Sequence, residues 1–336
     1  MSDAQVIDLA RLDDAAFERL YKERIEPCFA GNENDRLAAV EKFKQRLLIG
    51  GGIALALGVG GYLIWRQWDI VAVIFFMVAI MAGVIAYQPL AKVGQTLKQQ
   101  YCAAIADAMG ATFTIGGFEP PAFDRLRSMN LVPSFARSKF EDLFSGHYKN
   151  SAFELYEGHL EQRHTDSKGR TRYTTVFRGQ LIRLHFPREF LGVTIVRRDA
   201  GVFNVFGGGK ADGRKLQRVG LVDSRLEKAF EVWGTDQVEA RYLLHPVMME
   251  RLLELETKLH GKRLRCAFES GDMLIAVEGG NLFEPGDLFK PLVDPARARR
   301  IVTEISGVFG VMDQVLTAQA QRPPSAPSGP PSTGSG

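Results

Sequence analysis

Two apolar stretches that lie four residues apart constrain this chain more than any other feature of its sequence. Residues 47–65 carry no charge over nineteen positions, and residues 70–87 carry none over eighteen. At about 1.5 Å per residue, each forms a helix of roughly 27 to 29 Å, close to the thickness of a bilayer's hydrocarbon core. A four-residue connection cannot recross a membrane. The two helices are therefore predicted to form an antiparallel transmembrane hairpin with both outer ends on one side.

The basic residues around the two stretches predict which way the hairpin faces. Five of them lie beside its outer ends and one lies in its turn: Lys42, Lys44, Arg46, Lys92 and Lys98 against Arg66. Positive residues favour the cytoplasmic side of a membrane. We therefore expect a multi-pass protein of the inner (plasma) membrane with both termini in the cytoplasm. Neither stretch contains a charged side chain, so we expect an anchor in the lipid bilayer rather than a channel or transporter.

Small residues recur every four positions in both stretches. They form two seams in the first stretch and two pairs in the second: Gly50, Ala54 and Gly58; Gly52, Ala56 and Gly60; Ala79 with Gly83; and Ala82 with Ala86. Small residues at this spacing let helix backbones approach closely in lipid. The seams are expected to pack the two helices of the hairpin together, with a homo-oligomer of hairpins as the alternative.

The rest of the chain predicts an α+β fold: an N-terminal helical region with the transmembrane hairpin, then a mixed, mainly antiparallel sheet domain with packed helices. Leu90, Val93 and Leu97 recur at helical spacing after the second stretch, which indicates a helical stalk. The predicted division is residues 1–46 as N-terminal cytoplasmic helices, 47–87 as the hairpin, 88–110 as a stalk helix, 111–320 as a cytoplasmic α+β domain, and 321–336 as a disordered Pro/Ser/Gly tail.

Turn residues between alternating segments predict two β-hairpins in this domain. Residues 151–186 read as a long hairpin with its turn at 165–169, and residues 264–277 read as a second one. Further strands are expected at 193–196, 202–206 and 216–222. Helix starts are predicted at Asp236, at Pro246 and at the Asp294-Pro295 pair.

Three segments carry a resemblance to a known family. Residues 230–246, continued by 249–255, are similar to the signature stretch of the bacterial membrane-protein family called domain of unknown function 3137, and residues 177–186 and 283–289 resemble two further landmarks. The resemblance covers roughly residues 90–315. It implies a bacterial inner-membrane protein with an N-terminal hairpin and a cytoplasmic α+β domain, and it carries no activity over to this chain.

Asp236, Glu239 and Arg241 are the strongest catalytic candidates in the sequence. Two carboxylates three residues apart share a helix face, as paired acid and base groups require. The same spacing is that of a helix N-cap, which explains both carboxylates without chemistry. We favour the capping interpretation.

Gly207, Gly208, Gly209 and Lys210 are a candidate anion-binding loop, because unhindered backbone amides beside a lysine can hold an anion. The segment lacks the spacing of a P-loop, so a flexible loop between strands is the favoured alternative. The six histidines show no metal-ligand spacing and the three cysteines are far apart. We predict neither a metal site nor a cofactor.

Positive charge is concentrated in the middle of the chain. Residues 158–228 contain fifteen Lys and Arg against seven Asp and Glu, although the whole chain has a net charge of +3. The candidate contacts to an anionic surface lie on predicted strands or at their ends: Arg170, Arg172, Arg178, Arg183, Arg197 and Arg198. A solvated strand face balanced by nearby acids is the alternative. Nucleic acid is not favoured, since no RNA-binding motif or recognition helix accompanies the charge.

Two hypotheses of function follow from these features. The first is a membrane-anchored cytoplasmic binding or scaffolding module, of unknown specificity, that contacts a protein partner or anionic lipid through the basic strand region. The alternative is a membrane-tethered hydrolase that acts on a phosphorylated or lipid-derived substrate, with Asp236, Glu239 and Arg241 at its site. Because catalytic signatures are absent from the sequence, we favour a protein that is not an enzyme.

Overall fold

Two long helices lead into a large antiparallel sheet that is covered by further helices. The computed structural model describes residues 6–30, 32–65, 68–198, 210–221, 224–283, 289–290 and 293–321. The helices within these ranges are α1 (Asp14–Leu20), α2 (Pro27–Ala30), α3 (Asn32–Trp65), α4 (Trp68–Met109), α5 (Phe123–Ser128), α6 (Ser224–Ala229), α7 (Gln237–Leu243), α8 (Pro246–Lys258) and α9 (Pro295–Gln321).

Helices α3 and α4 pack along each other as the apolar hairpin. A Cβ atom added to Gly50 would lie 2.4 Å from the Cβ of Ala82, so the two backbones meet where both residues are small. Ala54 and Ala86 are fully covered at the same interface. The stalk is not a separate helix, because α4 continues without interruption from the apolar stretch through Pro89 to Met109.

Three of the described helices are long and apolar enough to cross a membrane. In the spans Asn32–Leu63 and Val71–Met109, 11% of the most apolar window is buried within the protein, whereas in Pro295–Gln321 the share is 67%. Most of the apolar surface of the first two helices is therefore not covered by the described part of the protein. The third helix uses its apolar residues in the core of the sheet domain.

The strands form one nine-stranded sheet and one small hairpin. They are β1 (Thr112–Thr114), β2 (Arg137–Tyr148), β3 (Ser151–Thr165), β4 (Thr171–His185), β5 (Thr194–Arg198), β6 (Lys210–Ala211), β7 (Arg214–Lys215), β8 (Gln217–Arg218), β9 (Phe230–Gly234), β10 (Lys262–Glu269) and β11 (Asp272–Glu278). The large sheet has the order β1-β2-β3-β4-β11-β10-β5-β9-β8, and β6 pairs with β7. The predicted α+β class is confirmed, with every described strand pair antiparallel rather than mixed.

Both predicted β-hairpins are confirmed. Strands β3 and β4 pair as far as Thr165 with Thr171, and β10 and β11 pair as far as Glu269 with Asp272. The predicted strand at 216–222 is shortened to β8, and the one at 202–206 lies outside the described residues. Helix α9 extends to Gln321, the first residue of the predicted tail. The rest of the predicted tail lies outside the described residues.

The sheet is covered on both faces. Leu155 and Ile275 belong to the larger core, which includes side chains from α8, α9 and the end of α4. Leu181 and Leu274 point to the other face and belong to a smaller core, in which Leu126 of α5 takes part. Because neighbouring side chains of a strand point to opposite faces, the central strands are apolar at nearly every position.

Candidate functional site

The contacts between α4 and β2 show which end of the sheet lies toward the apolar hairpin. Nζ of Lys98 lies 2.5 Å from Oδ2 of Asp142. At the far end of α4, the amide of Ile7 donates to the carbonyl of Met109 and the adjoining amide of Val6 donates to that of His147. From residue 142 to residue 147, β2 therefore runs away from the apolar hairpin. Its first residues, and the end of β3 that pairs with them, lie toward the apolar hairpin.

The segment after β11 gives the same direction. The ring of Phe289 lies 5.7 Å from that of Phe43, measured between centroids, and Phe43 lies four residues before the apolar stretch of α3. The carbonyl of Phe283 accepts a bond from the thiol of Cys102, at 3.8 Å. Phe289 therefore lies nearer the apolar hairpin than Phe283, which contacts the stalk.

The β3–β4 hairpin extends beyond the rest of the sheet at this end. Strand β2 accompanies β3 as far as Arg137 opposite Glu161. The following residues, 162–174, are named here the basic tip, and all but half-buried Gln162 are exposed. Glu157 lies opposite Glu141, the neighbour of Asp142, and so is at the level of Lys98. Nine residues separate Glu157 from Asp166, about 30 Å of extended strand. Eleven residues separate Lys98 from Tyr87 at the end of the apolar stretch, about 16 Å of helix. The tip is therefore long enough to reach the level of Tyr87 even in an inclined sheet.

The basic tip carries an excess of positive charge. Its charged residues are Arg163, Lys168, Arg170 and Arg172 against one acid, Asp166. Oδ1 of Asp166 accepts hydrogen bonds from the backbone amides of Lys168 at 2.9 Å and Arg170 at 2.8 Å. The one carboxylate of the tip thus shapes the turn, and the cations remain on its surface.

An aromatic and ionic brace holds the base of the tip. The guanidinium of Arg137 lies over the ring of Tyr173, 3.9 Å from its centroid, and forms an ion pair with Glu161. Arg137 belongs to β2, Glu161 to β3 and Tyr173 to β4. The brace therefore links three strands at the point where the tip leaves the sheet.

The structure does not bring the six predicted arginines together. Arg170 and Arg172 lie on the basic tip, and Arg178 lies exposed at its base, where it donates to Oδ1 of Asn281 at 2.7 Å. Arg197 is largely covered, and burial beside Arg265 lowers its pKa.

Arg183 and Arg198 are used within the fold. Arg198 lies 3.2 Å from the carboxylate of Glu256. Arg183 lies between Glu154 and Asp272, at 3.3 and 3.2 Å, at the end of the sheet away from the apolar hairpin. Although burial opposes it, hydrogen bonds from His185 and Arg183 hold the pKa of Asp272 below its usual range.

The sequence interpretation missed several residues at the tip and its base. Arg163, Lys168 and Tyr173 belong to the tip, and Lys139 and His159 lie on the strands behind it. A signal was available for part of this group, because four cations fall within ten residues around a predicted turn. No such signal marks Lys139, which lies on a different strand.

Asp236, Glu239 and Arg241 lie at the far end of the sheet from the tip. Oδ1 of Asp236 accepts from the amides of Val238 and Glu239, at 2.9 and 3.0 Å, and so caps α7. The two carboxylate oxygens of Glu239 accept from the amides of Leu191 at 2.7 Å and Gly192 at 2.8 Å. Arg241 donates to Gln237 on the same helix.

A small apolar cavity adjoins the two carboxylates. It has a volume of about 230 Å³, and its lining includes Phe190, Leu191, Val238 and Tyr242. Asp236 and Glu239 form part of its wall, where Oδ1 of Asp236 and both carboxylate oxygens of Glu239 accept the backbone hydrogen bonds described above. Arg241 is not among the lining residues.

The remaining sequence candidates are not brought together into a site among the described residues. Lys210 is exposed at the start of β6, and Gly207, Gly208 and Gly209 lie outside the described residues. Within the described ranges, no three His, Cys, Asp or Glu side chains are placed to hold a metal ion. Cys28 is exposed, whereas Cys102 and Cys266 are buried, and all three are free thiols.

Comparisons with known proteins find a family match within the sheet domain. Residues 175–316 match the family described as "Protein of unknown function (DUF3137)", which confirms the resemblance noted above for this part of the chain. No curated protein matches the chain. A solved structure, the mycobacterial trehalose monomycolate transport factor A, TtfA, is similar with a TM-score of 0.39 and 12% identity over 68% of this chain and 98% of that one.

Proposed function

We propose that this protein is a membrane-anchored binding module whose basic tip contacts anionic headgroups of the leaflet beside the sheet domain. In this proposal α3 and α4 cross a bacterial inner membrane as a two-pass anchor, and both termini and the sheet domain are cytoplasmic. The observation that carries the proposal is the reach of the tip. An exposed basic hairpin extends toward the apolar helices by about 30 Å, where about 16 Å is needed.

The expected interaction energy supports a stable contact. A lysine or arginine at an anionic membrane surface contributes about 1 kcal/mol, so the four cations of the tip contribute about 4 kcal/mol before the charge of Asp166 is subtracted. The anchor holds the tip close to the leaflet, and this raises its effective concentration. The sheet domain by itself therefore need not bind anionic lipid tightly.

The arrangement suits a module that binds or scaffolds. Contacts at the stalk and at the tip would fix the orientation of the sheet, so that its opposite end faces away from the bilayer. That end carries the exposed apolar side chains Leu191 and Val238. A protein partner in the cytoplasm would find this end accessible.

The hydrolase alternative gains no support from the described contacts. Asp236 and Glu239 already accept backbone hydrogen bonds that shape α7 and the loop before β5. A general base needs an oxygen directed at its substrate. Both oxygens of Glu239 and Oδ1 of Asp236 are instead directed at backbone amides.

A fluorescent label at the tip tests the proposal. In a Cys28→Ser background, Ser167→Cys receives an environment-sensitive dye, and the full-length protein is placed in nanodiscs with or without phosphatidylglycerol. We expect a blue shift of the emission in anionic nanodiscs. Val238→Cys, at the opposite end of the sheet, is the matched control and is expected to show no shift.

Charge removal completes the test. With Lys168, Arg170 and Arg172 all replaced by glutamine, the label at position 167 is expected to lose its response to anionic lipid. The proposal fails if the label responds equally at both positions, or if its response is the same in neutral and anionic nanodiscs.

A further inference from the structure

Three basic side chains form a row across neighbouring strands behind the basic tip. Lys139 of β2 lies directly opposite His159 of β3, and His159 lies directly opposite Arg178 of β4. Adjacent strands are about 4.8 Å apart, so the row brings three nitrogen-bearing side chains within reach of one small ligand.

The row lies on one face of the sheet. The strand neighbours of the three basic residues, Phe140, Leu160 and Phe177, all pack into the smaller core on the other face. Since successive side chains alternate between faces, Lys139, His159 and Arg178 share the face that looks toward the stalk.

A pocket of about 100 Å³ is built around the row. Backbone of Gly158, Gly179 and Gly280 forms part of its lining, together with Asn281. Oδ1 of Asn281 accepts from Nη2 and Nε of Arg178, at 2.7 and 3.2 Å, and so fixes the guanidinium at the pocket wall. Nε2 of His159 lies 2.8 Å from Oγ1 of Thr175, which orients the imidazole.

The two acids of the pocket already have partners. Oε1 of Glu141 lies 2.7 Å from Nζ of Lys139 on the exposed side. Oε1 of Glu157 accepts from the amide of Leu282 at 2.7 Å. Burial, with the nearby Asp142, raises the pKa of Glu157 to about 7, so this carboxyl is partly protonated at neutral pH.

The two cations of the row favour an anion between them. Lys139 and Arg178 lie on either side of His159, two strand spacings or about 10 Å apart. A small anion between them would be attracted by both, and a planar guanidinium is suited to hold two oxygens of one anion. The glycines leave space for the anion to approach the backbone.

We propose that Lys139, His159 and Arg178 form a binding site for a phosphate group. The site lies between the stalk and the basic tip. A lipid headgroup or a soluble phosphate ester could supply the group. For a lipid source the inference rests on the function proposed above, whereas for a soluble ester it stands independently of the basic tip.

Calorimetric titration tests the site in the full-length protein. In neutral phosphatidylcholine nanodiscs, inorganic phosphate and glycerol 1-phosphate are titrated separately. Arg178→Gln and Lys139→Gln are each expected to weaken binding by about tenfold, because each removes a charge-assisted hydrogen bond. Lys215→Gln, an exposed lysine of β7 outside both the pocket and the basic tip, is the matched control and is expected to leave phosphate binding unchanged.

A second arm separates the two sources. If a headgroup occupies the pocket, phosphatidic acid in the nanodisc will suppress the binding of glycerol 1-phosphate, and Arg178→Gln will abolish that suppression. If suppression is absent, the source is a soluble ester. The site is disproved if the unaltered protein binds neither phosphate, or if Arg178→Gln and Lys139→Gln, with unchanged thermal unfolding, bind as tightly as it does.

Discussion

Lys98 of α4 and Asp142 of β2 form an ion pair of 2.5 Å in which both side chains are largely withdrawn from water. It joins the stalk to the sheet near the buried carboxyl of Glu157. Lys98 lies eleven residues beyond Tyr87, so its level on the stalk also defines the reach of the basic tip.

Loss of Lys98 is expected to destabilise the protein. Lys98→Met leaves the buried Asp142 without its cation, which should lower the free energy of unfolding by about 3 kcal/mol. Denaturant unfolding in detergent, followed by tryptophan fluorescence, measures the change. Lys139→Met, which breaks the exposed pair with Glu141, should cost less than about 1 kcal/mol. Equal effects of the two substitutions would contradict the role given to Lys98.

Stability is expected to fall as the pH rises through neutrality. Burial raises the pKa of Glu157 and of Glu304 to about 7, from an ordinary value of 4.5. The folded state therefore holds these protons more tightly than the unfolded state. The stabilisation is complete below the unfolded pKa and is lost as the pH rises through the folded pKa, by at most about 3 kcal/mol per group.

Glutamine at these positions isolates their contribution. The double variant Glu157→Gln and Glu304→Gln cannot ionise there, and its free energy of unfolding should vary less between about pH 5 and about pH 8 than that of the unaltered protein. An unchanged pH dependence would mean that other groups are responsible.

Packing of the apolar hairpin should depend on Gly50 and not on Gly52. A Cβ at Gly50 meets Ala82 at 2.4 Å, whereas one at Gly52 has no neighbour within 4 Å among the described residues. Gly50→Val should lower the melting temperature in detergent, because the helices must separate, and Gly52→Val should not.

Gly52→Val also tests the homo-oligomer hypothesis. Conversion of an oligomer to a monomer, seen by light scattering, would support association through the seam of Gly52, Ala56 and Gly60.

Asp236 should act as a helix cap rather than as a catalytic group. Asp236→Ala removes the acceptor for the amides of Val238 and Glu239 and should cost about 1 kcal/mol of stability. Asp236→Ser should restore most of this loss, because a serine hydroxyl accepts the same bonds. Thermal unfolding of the two variants decides between the roles, since a failure of serine to restore stability would argue against capping.

Local features of the fold were predictable from local sequence. The turn around Asp166 and Gly169, the cap at Asp236 and the helix start at Pro246 each depend on a few neighbouring residues, and all three appear at the predicted places. The alternation of side chains along a strand could not predict which arginines are exposed, because both faces of the central sheet are covered. Arg183 and Arg170 look alike in the sequence, yet one is enclosed by two carboxylates and the other is exposed.

The sequence alone predicts the extent of the two apolar stretches, the short connection between them and the order of the two β-hairpins, although the helices continue beyond the stretches. These properties follow from hydrophobicity and turn chemistry over short stretches of chain. The direction of the β3–β4 hairpin toward the apolar helices, and the row of Lys139, His159 and Arg178, became visible only in the folded chain. Direction and register arise from pairing between residues far apart in the chain, because the energy of that pairing comes from side chains on several elements at once.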